Sequence, residues 1–275
     1  MVIPDKLKDF RNFLYVVWKH LNLPDPTPIQ YEIADYMQRG DRRAIIEGFR
    51  GVGKSWICSA YVVHQLLLNP RKNILVVSAS KTRADDFSTF TLRLIHELPI
   101  LAHLRPTDKQ RFSKISFDVG PAPASHAPSV KSLGVTSQLT GSRADIIVAD
   151  DIEVVGNSAT QGMRDKLGEQ VKEFDAIIKP DADSRVLFLG TPQCEDTIYN
   201  KLTERGYRKQ IWPAKYVTTK VNQSTYDGTV SPICVNDEKA GGSTEPLRFS
   251  DIDLVEREAS YGRTGFSMQF MLDTR

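Results

Sequence analysis

Short runs of aliphatic and β-branched residues alternate with helical patterns along most of this chain. The apolar runs lie at 44–47, 74–79, 146–149 and 186–189. Apolar positions at helical spacing lie near 6–22, 54–68, 81–98 and 161–178, and a further helix is expected after the proline-rich segment 23–28. Strands that alternate with helices predict an α/β fold, in which a parallel sheet is flanked by helices.

The last quarter of the chain has a different pattern. Residues 218–246 are rich in Thr, Ser, Asn and Gly, with a flexible stretch expected at 241–243, and one more helix is predicted at about 250–261. We therefore expect a core over residues 1–213 and a small lid or linker subdomain over 214–275.

Composition excludes several classes of protein. The formal charge is only +2, from 36 basic and 34 acidic side chains, so bulk electrostatics do not predict nucleic-acid binding. The three cysteines and five histidines lack the short spacings of zinc or redox sites. No apolar run approaches the roughly 18 residues of a membrane span, and the first five residues do not resemble a signal peptide. A cytoplasmic protein is expected.

The segment from Gly48 to Ser55 reads G-x-x-x-x-G-K-S and lies between a predicted strand and a predicted helix. Glycines allow successive N–H groups to point at one phosphate, and the following helix adds its positive N-terminus. Lys54 is expected to reach the β- and γ-phosphates, and Ser55 to bind magnesium. The sequence therefore predicts ATP and Mg²⁺ as cofactors, with contacts from Gly48, Phe49, Arg50, Gly51, Val52, Gly53, Lys54, Ser55 and Trp56.

The strand at 146–149 ends in adjacent carboxylates, which is the Walker B pattern. We assign Asp150 to magnesium and Asp151 to polarising the attacking water, with Glu153 as the competing base. A purely structural acidic turn is the alternative. Because the apolar strand 73–78 lies between the two motifs, the sequence favours the P-loop branch with an inserted strand, the RecA- and helicase-like proteins.

Three side chains have two interpretations each. Arg50 is extra to the P-loop pattern; it either stabilises γ-phosphate charge or is a solvated loop arginine. Gln30 either contacts adenine or completes a capping box with Thr27. Thr191 follows the strand 186–189 and is either a phosphate sensor or part of a plain turn.

Together these segments resemble the large terminase subunit of short-tailed double-stranded DNA phages, the ATPase that packages the genome. The matching stretches are FRNFLYVVWKHLNLPDPTPIQ, GFRGVGKS, LVVSASKTRAD, QLTGSRADIIVADDIE, RVLFLGTPQ and RFSDIDLVEREASYGRTGFSMQFMLDT. The resemblance implies that ATP hydrolysis drives double-stranded DNA into the prohead. It also implies that Gln30 contacts adenine, and that Thr191 belongs to a motif coupling hydrolysis to movement.

The resemblance implies an assembly as well. Family motors form homo-oligomeric rings, expected here to be pentamers, that dock on the portal protein in the host cell cytoplasm and work with the small terminase subunit; the chain alone is expected to be monomeric in solution. An arginine of the neighbouring subunit completes each site in the family. Arg143 is our candidate, and a salt bridge at a strand start is its alternative.

Two departures from the family pattern bear on the expected activity. The family usually has glutamate after the Walker B aspartate, whereas this chain has Asp151. Asp151 and Glu153 are therefore both candidates for activating water. Relatives also continue into a nuclease domain, so we expect this chain to be the ATPase part alone.

Two other functions stay open from the sequence. A helicase shares these motifs but needs a second motor domain, and a nucleotide-gated scaffold would bind ATP without useful turnover. DNA contact is expected from loops such as 120–131, with Lys131 as one phosphate contact.

Overall fold

A seven-stranded sheet forms the centre of the molecule. The computed structural model describes residues 3–275. The first two of the five residues that were compared with a signal peptide therefore lie outside the described residues. Along the sheet the strands are ordered β3-β4-β2-β5-β6-β1-β7, and all neighbours are parallel except the pair β3–β4. The strands are β1 (Arg43–Gly48), β2 (Ile74–Ser78), β3 (Ser116–Phe117), β4 (Val130–Gly134), β5 (Ile146–Asp150), β6 (Arg185–Gly190) and β7 (Arg208–Trp212).

Helices cover both faces of this sheet. They are α1 (Phe10–His20), α2 (Pro28–Arg39), α3 (Lys54–Leu68), α4 (Lys81–Glu97), α5 (Val155–Ser158), α6 (Gln161–Ile177), α7 (Ile198–Glu204), α8 (Thr219–Tyr226) and α9 (Asp251–Phe266). Short 3-10 turns lie at Asp5–Lys8, Pro99–Leu104 and Pro232–Cys234, and a π-type turn at Ser267–Met271. Most longer helices begin at a Ser or Thr whose side chain accepts a main-chain N–H, as at Thr27 and Ser80.

Two apolar cores lie on opposite faces of the sheet because side chains alternate along each strand. Ile46 and Val148 belong to the core that contains α1, α2 and α3. Their neighbours Ile45 and Ile147 belong to the core under α6 and α7. The predicted α/β sheet covered by helices is confirmed.

The P-loop strand β1 and the Walker B strand β5 are separated by one strand, as in the inserted-strand branch. The separating strand is β6, which pairs with both. Strand β2 comes between them in the chain but lies on the far side of β5. Both motifs end at the same edge of the sheet because all of these strands are parallel.

Residues 214–275 pack against the core that contains α1–α3. Their buried members include Val217, Tyr226, Phe249, Leu254 and Phe270. The expected flexible stretch at 241–243 is instead a hydrogen-bonded turn, in which the Gly241 N–H donates to the Tyr216 carbonyl at 2.9 Å. The division at residue 213 stays a prediction. Over residues 3–275 no helix has the length and apolar character needed to cross a bilayer.

Candidate nucleotide site

The P-loop connects β1 to α3 through a tight turn. Gly51 and Gly53 both have φ +97°, a left-handed conformation that favours glycine. Phe49 and Val52 are fully buried and pack into the core. A side chain on Gly51 would meet the Phe249 ring at 2.8 Å. The loop therefore has the glycine-dependent backbone that a phosphate-binding turn requires, and its contacts with phosphate stay a prediction.

The Lys54 ammonium lies at the centre of this loop. It donates to the Gly48 carbonyl at 2.9 Å and to the Thr191 hydroxyl at 2.8 Å. Thr191 in turn donates to the same Gly48 carbonyl at 2.9 Å. Burial lowers the pKa of Lys54, and the nearby carboxylates of Asp151 and Asp150 oppose that shift. The end of β6 therefore meets the P-loop through one lysine.

Asp150 and Ser55 are the two residues predicted to bind magnesium. Asp150 ends β5 and is 7% exposed, and its Oδ1 has no hydrogen-bond partner among the described residues. Burial, together with the neighbouring Asp151 carboxylate, raises the pKa of Asp150 to about 7. A buried, unsatisfied carboxylate oxygen close to the Ser55 hydroxyl suits a hard divalent cation. Residues 3–275 contain no cluster of three or more His, Cys, Asp or Glu that could hold a metal, so phosphate oxygens and water would supply the other ligands.

Asp151 directly follows Asp150 and faces the open side of the site. Its φ is +47°, a left-handed conformation that aspartate tolerates better than most residues. Its side chain is 30% exposed, and the nearest cation is Arg83 at 3.8 Å. Asp151 lines a cavity of about 460 Å³ together with Lys54 and Ser55. Its carboxylate is therefore accessible to a water molecule beside the phosphate position.

Glu153 has different surroundings. It is 2% exposed and accepts hydrogen bonds from the Gln193 N–H at 2.8 Å, the Thr197 hydroxyl at 2.8 Å and the Ile198 N–H at 2.7 Å. These bonds tie the turn after β6 and the first turn of α7 to the Walker B segment. Burial raises the pKa of Glu153, and the three donors oppose that shift. This geometry favours Asp151 over Glu153 as the group that faces water.

Gln30 has the capping role that was one of its two interpretations. Its Oε1 accepts from the Thr27 N–H at 3.1 Å, and its main-chain N–H donates to the Thr27 hydroxyl at 3.2 Å. Its Nε2 also donates to the Val52 carbonyl at 2.8 Å. Gln30 therefore supports the P-loop directly, and it lines the same cavity as Trp56, which is 44% exposed. An adenine contact by Gln30 stays a prediction.

Arg50 is partnered by the end of the chain. Its guanidinium donates to Gln269 Oε1 at 3.1 Å, and its main-chain N–H donates to the Gln269 carbonyl at 3.0 Å. Arg50 is nevertheless an exposed loop residue, so both of its interpretations stay open.

Arg143 lies far from the P-loop of its own chain. It precedes β5, so it lies at the amino ends of the parallel strands, opposite the nucleotide edge. Its guanidinium donates to the main-chain carbonyls of Ser142 and Ala176, and it forms no ion pair within residues 3–275. The alternative of a salt bridge is therefore wrong, and the role of Arg143 toward a neighbouring copy stays a prediction.

Lys131 does not lie in an exposed loop. It belongs to β4, and its ammonium donates to the Ser142 hydroxyl at 3.1 Å. The loop that precedes it, 120–128, is largely exposed, as predicted.

Sequence reasoning missed Arg248, which reaches the P-loop from the C-terminal part of the chain. Its guanidinium donates to the carbonyls of Val52 at 3.1 Å and Gly51 at 3.0 Å. It also pairs with Glu245, which accepts a hydrogen bond from Thr27. Arg248 falls in one of the quoted matching stretches, but nothing local in its sequence indicates a contact with residues about 200 positions earlier.

Comparison with known proteins decides the family. The chain is 49% identical over 281 aligned positions to the terminase large subunit of Enterobacteria phage T3, which covers 99% of this chain. The chain belongs to the terminase large-subunit family. It spans about half of that relative's length, namely 48%. No protein-family model matches the chain.

Solved structures agree with this terminase fold. The large terminase ATPase domain of Thermus phage P74-26 matches with a TM-score of 0.55 at 15% identity, covering 94% of this chain and 97% of that one. The large terminase of bacteriophage HK97 matches at 0.54 and 12% identity, over 96% and 54% of the two chains. The DEAD-box helicase Mss116 bound to single-stranded RNA matches at 0.51 and 12%, over 82% and 49%. The fold is thus shared with helicases, whereas the sequence match is to a terminase.

Proposed function

We propose that this chain binds ATP with magnesium in the P-loop and hydrolyses it. The observation that carries the proposal is the meeting of Lys54, Gly48 and Thr191 at one point, next to Ser55 and the buried Asp150. Phosphoryl transfer needs positioning and charge stabilisation more than covalent help. A bound Mg²⁺ would neutralise charge on the β- and γ-phosphates.

The residues of this chain then divide the work. Lys54 would bind the β- and γ-phosphates, and Arg50 at the loop surface would supply a second cation in cis. Asp151 orients the attacking water and accepts its proton. Glu153 holds the turn after β6 in place because its carboxylate already receives three hydrogen bonds.

Assembly and partners follow from the family. We propose that several copies form a ring, a pentamer in the family pattern, that docks on the portal protein and works with the small terminase subunit. Arg143 would complete the site of the next copy, since it lies at the opposite edge of the sheet from its own P-loop. A trans arginine is worth about 10³ to 10⁵ in turnover in other NTPases, so a monomer would hydrolyse ATP slowly.

We also propose that hydrolysis moves double-stranded DNA. Four exposed basic side chains precede the loop 120–131 and lie next to the edge strand β3. We call this set the basic edge; it consists of Arg105, Lys109, Arg111 and Lys114. The 13 residues from 105 to 117 contain four basic side chains and one acidic side chain. Phe112 among them is 61% exposed. This surface suits phosphates better than Lys131, because Lys109 and Lys114 are exposed whereas the Lys131 ammonium donates to Ser142.

The decisive experiment is ATP turnover by the wild type, Asp151→Asn and Glu153→Gln at matched concentrations. Asparagine keeps the size and the left-handed backbone of Asp151 while removing its charge, so turnover should fall to background. Glu153→Gln should retain measurable turnover. A wild type that binds ATP with no turnover for Asp151→Asn to remove would support the scaffold function instead. Turnover that survives Asp151→Asn would exclude Asp151 as the base.

A further inference from the structure

The turn Ser267–Met271, at the end of the chain, contacts two walls of the nucleotide site through one side chain. Gln269 is 7% exposed. Its Oε1 accepts from the Arg50 guanidinium at 3.1 Å, while its Nε2 donates to the Pro192 carbonyl at 2.7 Å. One amide therefore connects the P-loop to the turn that carries Thr191.

The main chain reinforces this connection. The Gln269 carbonyl accepts from the Arg50 N–H at 3.0 Å, so both the backbone and the side chain of Arg50 are held by the same residue. The turn has π-type geometry and is followed by Leu272 at φ +61°, an uncommon conformation for leucine. Single π-type turns are often found at functional sites. The local geometry thus places the Gln269 amide where it spans both partners.

The same turn is anchored to the C-terminal part of the chain. The Phe270 carbonyl accepts from the Ala214 N–H at 2.8 Å, and the Met271 carbonyl accepts from the Tyr226 hydroxyl at 2.9 Å. A displacement of Arg50 or of the Thr191 turn would therefore be transmitted through Gln269 to residues 214–226.

We propose that Gln269 is a positioning residue for hydrolysis: it fixes Arg50 over the phosphate cradle, keeps Arg50 in register with the Thr191 turn, and carries that position to the C-terminal part of the chain. The inference rests on the proposed role of Arg50 toward the γ-phosphate. It assigns a function to the last turn of the chain, which the motifs leave without one.

A double-mutant cycle tests the proposal. Gln269→Ala should lower kcat about tenfold to a hundredfold, the range seen when a reacting group is misplaced by about 1 Å, with little change in KM. Arg50→Ala should lower kcat similarly, and the double variant should be no slower than Arg50→Ala alone because Gln269 acts through Arg50. Gln269→Glu keeps the acceptor for Arg50 but loses the donor to Pro192, so it should recover part of the rate.

The matched control is Gln38→Ala. Gln38 also joins two segments through its amide: from α2 it accepts from the Phe10 N–H and donates to the Lys8 carbonyl, at 2.7 Å each, and neither partner belongs to the P-loop. It should change thermal stability without changing kcat. Independent effects of Arg50→Ala and Gln269→Ala on kcat would overturn the inference, as would an unchanged kcat in Gln269→Ala. A wild type without turnover would instead contradict the proposed ATPase function.

Discussion

The Thr191 hydroxyl lies 2.8 Å from the Lys54 ammonium and 2.9 Å from the Gly48 carbonyl. One hydroxyl from the end of β6 thus joins the first and seventh residues of the P-loop motif. Any shift of Lys54 toward a phosphate changes what the hydroxyl contacts. The role of Thr191 as a phosphate sensor stays a prediction, and these two contacts make it testable.

Thr191→Val removes the hydroxyl while keeping the shape of the side chain. A hydrogen bond to a charged group contributes about 1.5 kcal/mol or more, so kcat should fall about tenfold or further. Nucleotide affinity should change little, because the P-loop amides are untouched. Steady-state kinetics with a nucleotide titration would measure both. Thr191→Ser should restore the rate; a serine variant as slow as valine would contradict the hydroxyl's role.

The buried carboxyl of Glu47 should make the stability of the protein depend on pH. It is 1% exposed, its carboxylate oxygens have no hydrogen-bond partner among the described residues, and burial raises its pKa to about 7, although Lys209 lies 3.6 Å away. Because the folded-state pKa is above the ordinary value, its contribution to stability is present below about pH 4 and is lost as the pH rises through 7.

Glu47→Gln should therefore gain thermal stability relative to the wild type at pH 8, and gain less or none at pH 5. Asp150, Glu153 and Glu245 also have raised pKa values, so the variant should reduce the pH dependence without abolishing it. Thermal melts across pH 5–8 measure the difference. A constant offset between the two proteins would show that Glu47 is ionised throughout.

Gly51→Ala should disrupt the nucleotide site. Its left-handed φ costs a non-glycine residue about 1–2 kcal/mol, and the added Cβ would approach the Phe249 ring at 2.8 Å. Nucleotide binding, measured by calorimetry, should weaken strongly. Gly162→Ala is the control: nothing lies within 4 Å of its added Cβ, and its φ is not left-handed, so binding should be unchanged. Equal binding by both variants would be evidence against the P-loop geometry described above.

Charge reversal at the basic edge should weaken DNA binding. Lys109→Glu combined with Lys114→Glu should lower affinity for duplex DNA and reduce the slope of affinity against salt by about 0.9 per lost phosphate contact. ATP turnover without DNA should be unaffected. The same double reversal at the exposed Lys166 and Lys172 on α6 is the control. Similar losses from both pairs would mean that only the net charge matters.

Most of the sheet and its helices could be predicted from sequence because their signals are local. The strands β1, β2, β5 and β6 are continuous apolar runs, and α3, α4 and α6 have regular apolar spacing. Strands β3, β4 and β7 lack such a signal and are not predicted; β4 (Val130–Gly134) begins inside the expected loop 120–131. The order of the strands is also non-local, which is why β6, rather than β2, separates the two motifs.

The candidate site also contains residues that local sequence predicts and residues that it does not. Lys54, Ser55, Asp150 and Asp151 could be predicted as site residues because each lies in a short motif that follows or ends a strand. The partners that hold those motifs come from distant sequence: Arg248 and Gln269 are about 200 residues from the P-loop. Their roles depend on how 214–275 folds back over the core, and no local pattern encodes that path.

The left-handed backbone at Asp151 restricts which acidic residues fit at this position. Aspartate and asparagine adopt such a conformation more readily than longer side chains, since their short polar groups can bond locally. Glutamate at this position would offer the same charge with a longer reach, at a greater conformational cost. The main-chain conformation at residue 151 therefore limits the residue types that fit there, whatever their reactivity. In a substitution screen, asparagine at this position should give a higher yield of folded protein than glutamate.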